Sequence, residues 1–188
     1  VRAIVYSDVK TSKIKKKPDI AEIAIGGSIN EKISFIKEYI GKTIKAENIF
    51  NPMQVVDIRA ITKGKGNQGP VKRFGIGLKQ HKSEKGRRKP GSLGPWHPAR
   101  VTFRTPMAGQ TGFFTRVIYN NKIINLGNIF DKNINKKGGF NKYGDIKTDY
   151  IILYGSVQGP AKRPLIITYP LRVSKKQSKK NYEFIELR

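Results

Sequence analysis

Hydrophobic and polar positions alternate over the opening residues, with Val1, Ala3 and Val5 on one side and Arg2, Ile4 and Tyr6 on the other, which predicts a strand. A basic polar loop over 10–17 follows, and 20–25 predicts a second short strand that stops at Gly26 and Gly27. The period then changes to a helical one, because Ile29, Ile33, Ile36 and Ile40 recur on one face. Ser28 and Glu31 stand at capping-box spacing and Gly41 is placed to close the C-terminus, so one packed helix is expected over 29–40. Alternation returns over 53–62, with Val55, Asp57, Arg59 and Ile61 opposite Val56, Ile58 and Ala60. Further strands are expected over 113–119, 122–126, 150–157 and 165–171, and a last one over 182–187. Asn120-Asn121 predicts a tight hairpin turn between the first two of these.

Both periods vanish between 62 and 112. These 51 residues hold 10 Gly, 5 Pro and only five aliphatic side chains, Val71, Ile76, Leu78, Leu93 and Val101. They also hold 12 Lys or Arg against one acid, Glu84, a net charge of +11. So few apolar groups cannot offset the entropy of ordering the segment, and it cannot build its own core. The expected organisation is therefore strands plus helix over 1–61, a basic Gly/Pro-rich extension over 62–112, and more strands with a basic C-terminal segment, including 175–180, over 113–188. The fold class is mostly β, an antiparallel barrel or sandwich with one packed helix and a long basic extended loop.

Charge sharpens this picture. In 188 residues, 38 Lys or Arg face 13 acidic residues, for a formal charge of +25. Self-repulsion on this scale is a burden unless a polyanion offsets it, so nucleic acid is the first partner to consider. A solvated charged face would normally interleave Glu with Lys, and 62–112 does not. A hydrophobic fraction of 37% is too high for a wholly disordered basic tail. With no cysteine, disulfides, thiolate nucleophiles and cysteine-ligated metal sites are excluded, and a reducing cytosol fits. No apolar run approaches the ~20 residues of a membrane span. The chain begins at Val1 rather than Met, as expected of a processed product or a fragment.

Candidate chemistry is sparse. Gly64-Lys65-Gly66-Asn67-Gln68-Gly69 matches G-x-G-x-x-G after a predicted strand, but a dinucleotide site needs a helix opening at the third glycine. Pro70, Gly75 and Gly77 argue against one, which leaves backbone able to approach a phosphate, flanked by Lys63, Lys65, Lys72 and Arg73. His81 and His97, the only histidines, lack the partners of a zinc site or a catalytic triad, so polar or stacking roles are favoured over catalysis. Trp96, the only tryptophan, is bracketed by prolines in Gly94-Pro95-Trp96-His97-Pro98, where stacking on nucleotides competes with a role as a core anchor. Phe74, Phe103, Arg87, Arg88 and Arg100 offer similar platforms. No metal, cofactor or small-molecule substrate is expected.

Four ordered blocks bear a family resemblance: 62–75 (TKGKGNQGPVKRFG), 94–101 (GPWHPARV), 109–112 (GQTG) and 155–163 (GSVQGPAKR). They resemble the L-three family of large-subunit ribosomal proteins in its archaeal and eukaryotic form. The likeness runs from Val1 through Gly138-Gly139-Phe140 to about Arg163, and the family usually carries a further N-terminal portion. It implies a translation-protein type antiparallel β-barrel whose long basic extension threads ribosomal RNA toward the peptidyl transferase centre. Gly94, Pro95, Trp96, His97 and Pro98 would form the tip, with Trp96 near the aminoacyl-tRNA entrance. The implied partners are large-subunit ribosomal RNA and neighbouring large-subunit proteins, with no membrane, and the implied location is the cytoplasmic ribosome. The family often carries a more polar run where this chain has Arg116-Val117-Ile118. The position matching a modified histidine of some members is Glu84 here.

Charge and resemblance together nominate the RNA-binding residues. They are Lys63, Lys65, Gln68, Lys72 and Arg73 in the first block, then Lys79, His81, Arg87, Arg88 and Lys89, then Trp96, His97, Arg100, Arg104, Gln110 and Arg116, and finally Lys162 and Arg163. The expected role is a structural ribosomal constituent with no reaction of its own, which aids subunit assembly and shapes the aminoacyl-tRNA entrance. Two alternatives are an RNA-modifying enzyme with a basic barrel, which would need a cofactor pocket, and a DNA-compacting chromatin protein, which leaves the four blocks unexplained.

Overall fold

A computed structural model describes residues 1–186. In chain order the elements are β1 (Arg2–Tyr6), α1 (Val9–Ser12), β2 (Ile20–Ala24), α2 (Ile29–Tyr39), a 3-10 turn (Ala46–Asn48), β3 (Val55–Ile61), β4 (Asn67–Gln68), α3 (Pro70–Phe74), β5 (Gly109–Gln110), β6 (Thr115–Asn128), β7 (Asp149–Leu153), β8 (Ile166–Thr168) and α4 (Lys175–Ser178). The protein is mostly β with few helices. The strands form a four-stranded sheet in the order β7-β6-β3-β8 and two pairs, β1-β2 and β4-β5. β1 with β2, β3 with β8, β4 with β5 and β6 with β7 all pair antiparallel. None of the helices of the described residues is long and apolar enough to cross a membrane.

The chain divides into two compact units, Ile61–Arg116 and the remainder, Val1–Ala60 with the residues from Val117 onward. The remainder holds the core. Phe50, Val56, Ile58 and Ile123 are buried there, and Leu126, Ile151, Leu153, Leu165 and Ile167 pack against them. β3 is the central element, because it is covered on both faces: Val55, Val56, Asp57, Ile58 and Ala60 are all buried. Each aliphatic side chain removed from water contributes roughly 1.5–3 kcal/mol, so the strand with both faces covered fixes the sheet.

Four sequence expectations need correction. Asn120-Asn121 is not a hairpin turn, since β6 runs through both residues. Asn120 takes a left-handed φ of 56°, the conformation that suggested a turn, but its amide donates to the Asp57 carboxylate (2.9 Å) and the strand continues. The helix forms with both halves of its capping box, from Glu31 N to Ser28 Oγ and from Ser28 N to the Glu31 carboxylate. Its apolar face is not packed away, because Ile29 and Ile40 remain 69% and 70% exposed. Capping acts locally, so it marks where the helix starts without saying what its apolar face packs against. No strand forms over 182–186, and Leu187, the end of that expected strand, lies outside the described residues. Finally, a helix does open after Gly69, with Pro70 at its first turn, but it is one turn and a half long and Gly75 ends it at φ 68°. Asn67 and Gln68 immediately before it pair with Gly109 and Gln110, so the glycines belong to a two-stranded turn region rather than a dinucleotide loop.

Candidate nucleic-acid interface

Ile61–Arg116 is built on a short ladder between its two ends. Thr62 N donates to the Phe114 carbonyl (2.9 Å), Lys65 N to Thr111 (2.9 Å) and Thr111 N to Gly66 (2.8 Å), and β4 with β5 extends the pairing. Gly112 is required in this ladder, since it sits at φ 75° and a Cβ there would overlap the Lys63 carbonyl. Arg73, on α3, ties the return strand by donating from Nε to the Gln110 carbonyl (3.2 Å) and from a terminal nitrogen to the Met107 carbonyl (2.9 Å). Gln110 in turn donates to the Gly112 carbonyl (3.0 Å), and Gln68 to that of Lys65 (2.6 Å).

Beyond this base, 75–108 contains turns and bends but no helix or strand. One internal clasp closes 79–87, where Lys79 N donates to the Arg87 carbonyl (3.1 Å) and Arg87 Nε to the Lys79 carbonyl (3.1 Å). A second joins Thr105 Oγ1 to the Leu93 carbonyl (3.1 Å). No residue of 61–116 is buried, and all of 91–100 is exposed. Trp96 is 87% exposed and Phe103 91%, which rules out a core-anchor role for either within this unit. Among the described residues Glu84, the one acid of 62–112, pairs with none of its cations. Over 62–112 the surface is therefore strongly cationic, with the Trp96 and Phe103 rings exposed.

The nominated residues divide along these lines. Lys63, Lys65, Lys72, Lys79, His81, Arg88, Lys89, Trp96, His97 and Arg100 are exposed on this unit. Arg104 lies over the Phe103 ring (5.5 Å to its centre) and Arg116 over the Phe114 ring (5.1 Å), both cation–π arrangements. Arg73 and Arg87 spend donors on the chain's own carbonyls, so part of each works as an internal tie, and a count of charges could not have separated them from their neighbours. Lys162 and Arg163 belong to the other unit, Lys162 at φ 70° and Arg163 half-buried in a turn that returns to the Pro160 carbonyl. Nearby, Gln158 donates to the Ile58 carbonyl (3.0 Å) and so links the fourth sequence block to β3.

Sequence reasoning passed over a second set of polar groups, in the unit that holds the core. Asp57 is fully buried, and its two oxygens accept from Asn120 N and from Leu171 N (3.1 Å). Lys122 is also buried, and its ammonium donates to the carbonyls of Gln177, Ser178 and Lys180. An Asp and a Lys within strand patterns carry no sequence mark that distinguishes them from surface residues.

These features define a class of chain: a β module with a buried sheet, and a long cationic segment without a core. The family model described as Ribosomal protein L3 matches residues 1–188, and the chain belongs to that family. It is 43% identical over 176 residues to the large ribosomal subunit protein uL3 of Methanococcus vannielii, covering 92% of this chain and 52% of that one. The protein of the same name from Methanococcus maripaludis strain C6 is 44% identical over 178 residues (93% and 53%), and that of Pyrobaculum calidifontis 45% over 181 residues (94% and 53%). The chain spans about half the length of the curated relatives it matches.

Proposed function

We propose that this chain is a structural constituent of the large ribosomal subunit, in the cytoplasm, which binds large-subunit ribosomal RNA, meets neighbouring large-subunit proteins and catalyses no reaction. Family membership and the name carried by its relatives support the assignment. The observation that carries the RNA-binding part is that 61–116 has no buried residue, while 62–112 holds a net +11. Phosphates would neutralise that charge and RNA grooves would supply the walls the segment lacks, so its binding and its ordering are one event. The nominated cations supply phosphate contacts, and Trp96 and Phe103 supply stacking faces for unpaired bases. The sheet belongs to a translation-protein type β-barrel, and Gly94 to Pro98 form the tip of the extension near the aminoacyl-tRNA entrance and the peptidyl transferase centre.

The test is competition at physiological salt between duplex DNA and the large-subunit ribosomal RNA of Methanococcus maripaludis, followed by limited proteolysis. The RNA is expected to win and to protect 62–112, which is cut readily in the free chain. Equal affinity for duplex DNA, or an extension equally labile in both states, overturns the reading. In reconstituted ribosomes Trp96→Ala is expected to leave the sheet folded and slow tRNA accommodation, and unaltered elongation would remove the tip role.

A further inference from the structure

Arg172, Lys175, Lys176, Lys179 and Lys180 place five cations in nine residues with no acid among them. None of the five pairs with a carboxylate among the described residues, and Arg172, Lys175, Lys176 and Lys179 are exposed. Unlike the extension, this stretch is anchored to side chains of the sheet, the buried Asp57 and Lys122, the half-buried Asn120 and the more exposed Tyr154. Leu171 N donates to Asp57, Ser174 N donates to the Asn120 side chain (2.8 Å), and the Tyr182 ring stacks on Tyr154 with centres 4.5 Å apart. Beneath it the buried Lys122 ammonium uses its three donors on the carbonyls of Gln177, Ser178 and Lys180.

We propose that 172–180 is a second binding surface for the phosphodiester backbone of RNA, preorganised by Lys122 and Asp57. The inference rests on the ribosomal RNA reading above. The carbonyls at the end of α4 are the groups a helix leaves unpaired, and they carry partial negative charge. Lys122 takes them from the inside, so what the segment turns to solvent is cationic. Burying an ammonium with no carboxylate partner is costly, and an aliphatic side chain would anchor the segment more cheaply. What the lysine adds is fixed carbonyl geometry and a positive charge behind the surface lysines. Lys175 and Lys179, and Lys176 and Lys180, stand four residues apart, where like charges repel. A phosphate chain relieves that repulsion. Lysines act on phosphate as point charges that need no bidentate geometry, and this suits a backbone contact better than recognition of one side chain.

The experiment measures binding of the full chain to Methanococcus maripaludis large-subunit ribosomal RNA across a salt series. Replacing Lys175, Lys176 and Lys179 with Gln is expected to flatten the slope of log affinity against log salt by about 2 to 2.7, at ~0.7–0.9 per lost phosphate contact. Lys122→Met leaves every surface lysine in place, and is expected to weaken binding about three- to tenfold and to speed amide exchange over 174–180. An unchanged slope in the triple variant, beside a flattened one for Arg87, Arg88 and Lys89→Gln, overturns this inference alone and points to a protein partner for the patch. No saturable binding by the unsubstituted chain overturns the ribosomal RNA reading together with it. Full affinity and full amide protection in Lys122→Met overturn the preorganisation, and should that variant not fold, the triple variant still decides the surface.

Discussion

Asp57 and Lys122 are both buried charges, and each is satisfied by backbone groups rather than by the other. A carboxylate that accepts two main-chain N–H groups acts as a joint, and Asp57 joins β3 to the irregular point of β6 at Asn120 and to the chain after β8 at Leu171. Asp57→Ala removes both acceptors and leaves a small void, so a loss of about 2–6 kcal/mol is expected, at ~1–3 per donor left without a partner. Asp57→Asn, which keeps one carbonyl oxygen, should lose less. Urea midpoints of the two variants check the order, and equal stability would show that water replaces the carboxylate at both amides. The same joint explains the misread turn. Asn-Asn with a left-handed residue is a turn signal in isolation, but Asp57 and Ser174 give Asn120 partners 63 and 54 residues away that no local pattern contains.

At the scale of elements, α2 is specified by its ends. Ser28 and the Glu31 carboxylate satisfy each other's amides, and those hydrogen bonds hold the Glu31 pKa below its ordinary value. A depressed carboxylate pKa means that the cap contributes fully above the unfolded value near 4.5 and is lost as pH falls through the lower folded value. Helical circular dichroism should therefore fall on acidification in the unsubstituted chain but not in Glu31→Gln, whose amide oxygen still accepts from Ser28 N at every pH. Matching acid profiles would remove Glu31 from the cap. The capping box was legible because it lies within four residues, and β1, β2 and β3 were legible because alternation is local. Burial of the isoleucine face was not, since a period of 3.6 states which side chains share a face and not what covers it. α1 and α4, of four residues each, were missed because so short a helix leaves no period to detect. In the candidate interface, composition revealed the missing core but left Trp96 between a core anchor and a stacking face, which only its 87% exposure decides. The ties made by Arg73 and Arg87 depend on carbonyls that only the folded path brings near.

For the whole molecule, the two units differ in the origin of their order. One has buried aliphatic residues around β3 and β6, whereas Ile61–Arg116 has a ladder at its base, two small clasps and no interior. Stability should divide in the same way, because protection against exchange follows buried contacts and enclosed hydrogen bonds. In the free chain, amides of Val56, Ile58 and Ile123 should exchange only on global unfolding, those of Thr62, Lys65 and Thr111 at an intermediate rate, and those of 79–104 at rates near the unfolded limit. If the proposed function holds, addition of large-subunit ribosomal RNA should extend the slow class into 79–104 while the core amides change little, since RNA would give walls to the segment that lacks them. Raising the salt should reverse the gain first at the most cationic stretch, 82–89, because counterions compete there for the largest number of contacts. Strong protection of 79–104 without RNA would mean that glycine, proline and backbone clasps suffice to order a polycation, and the +11 would then need a different account.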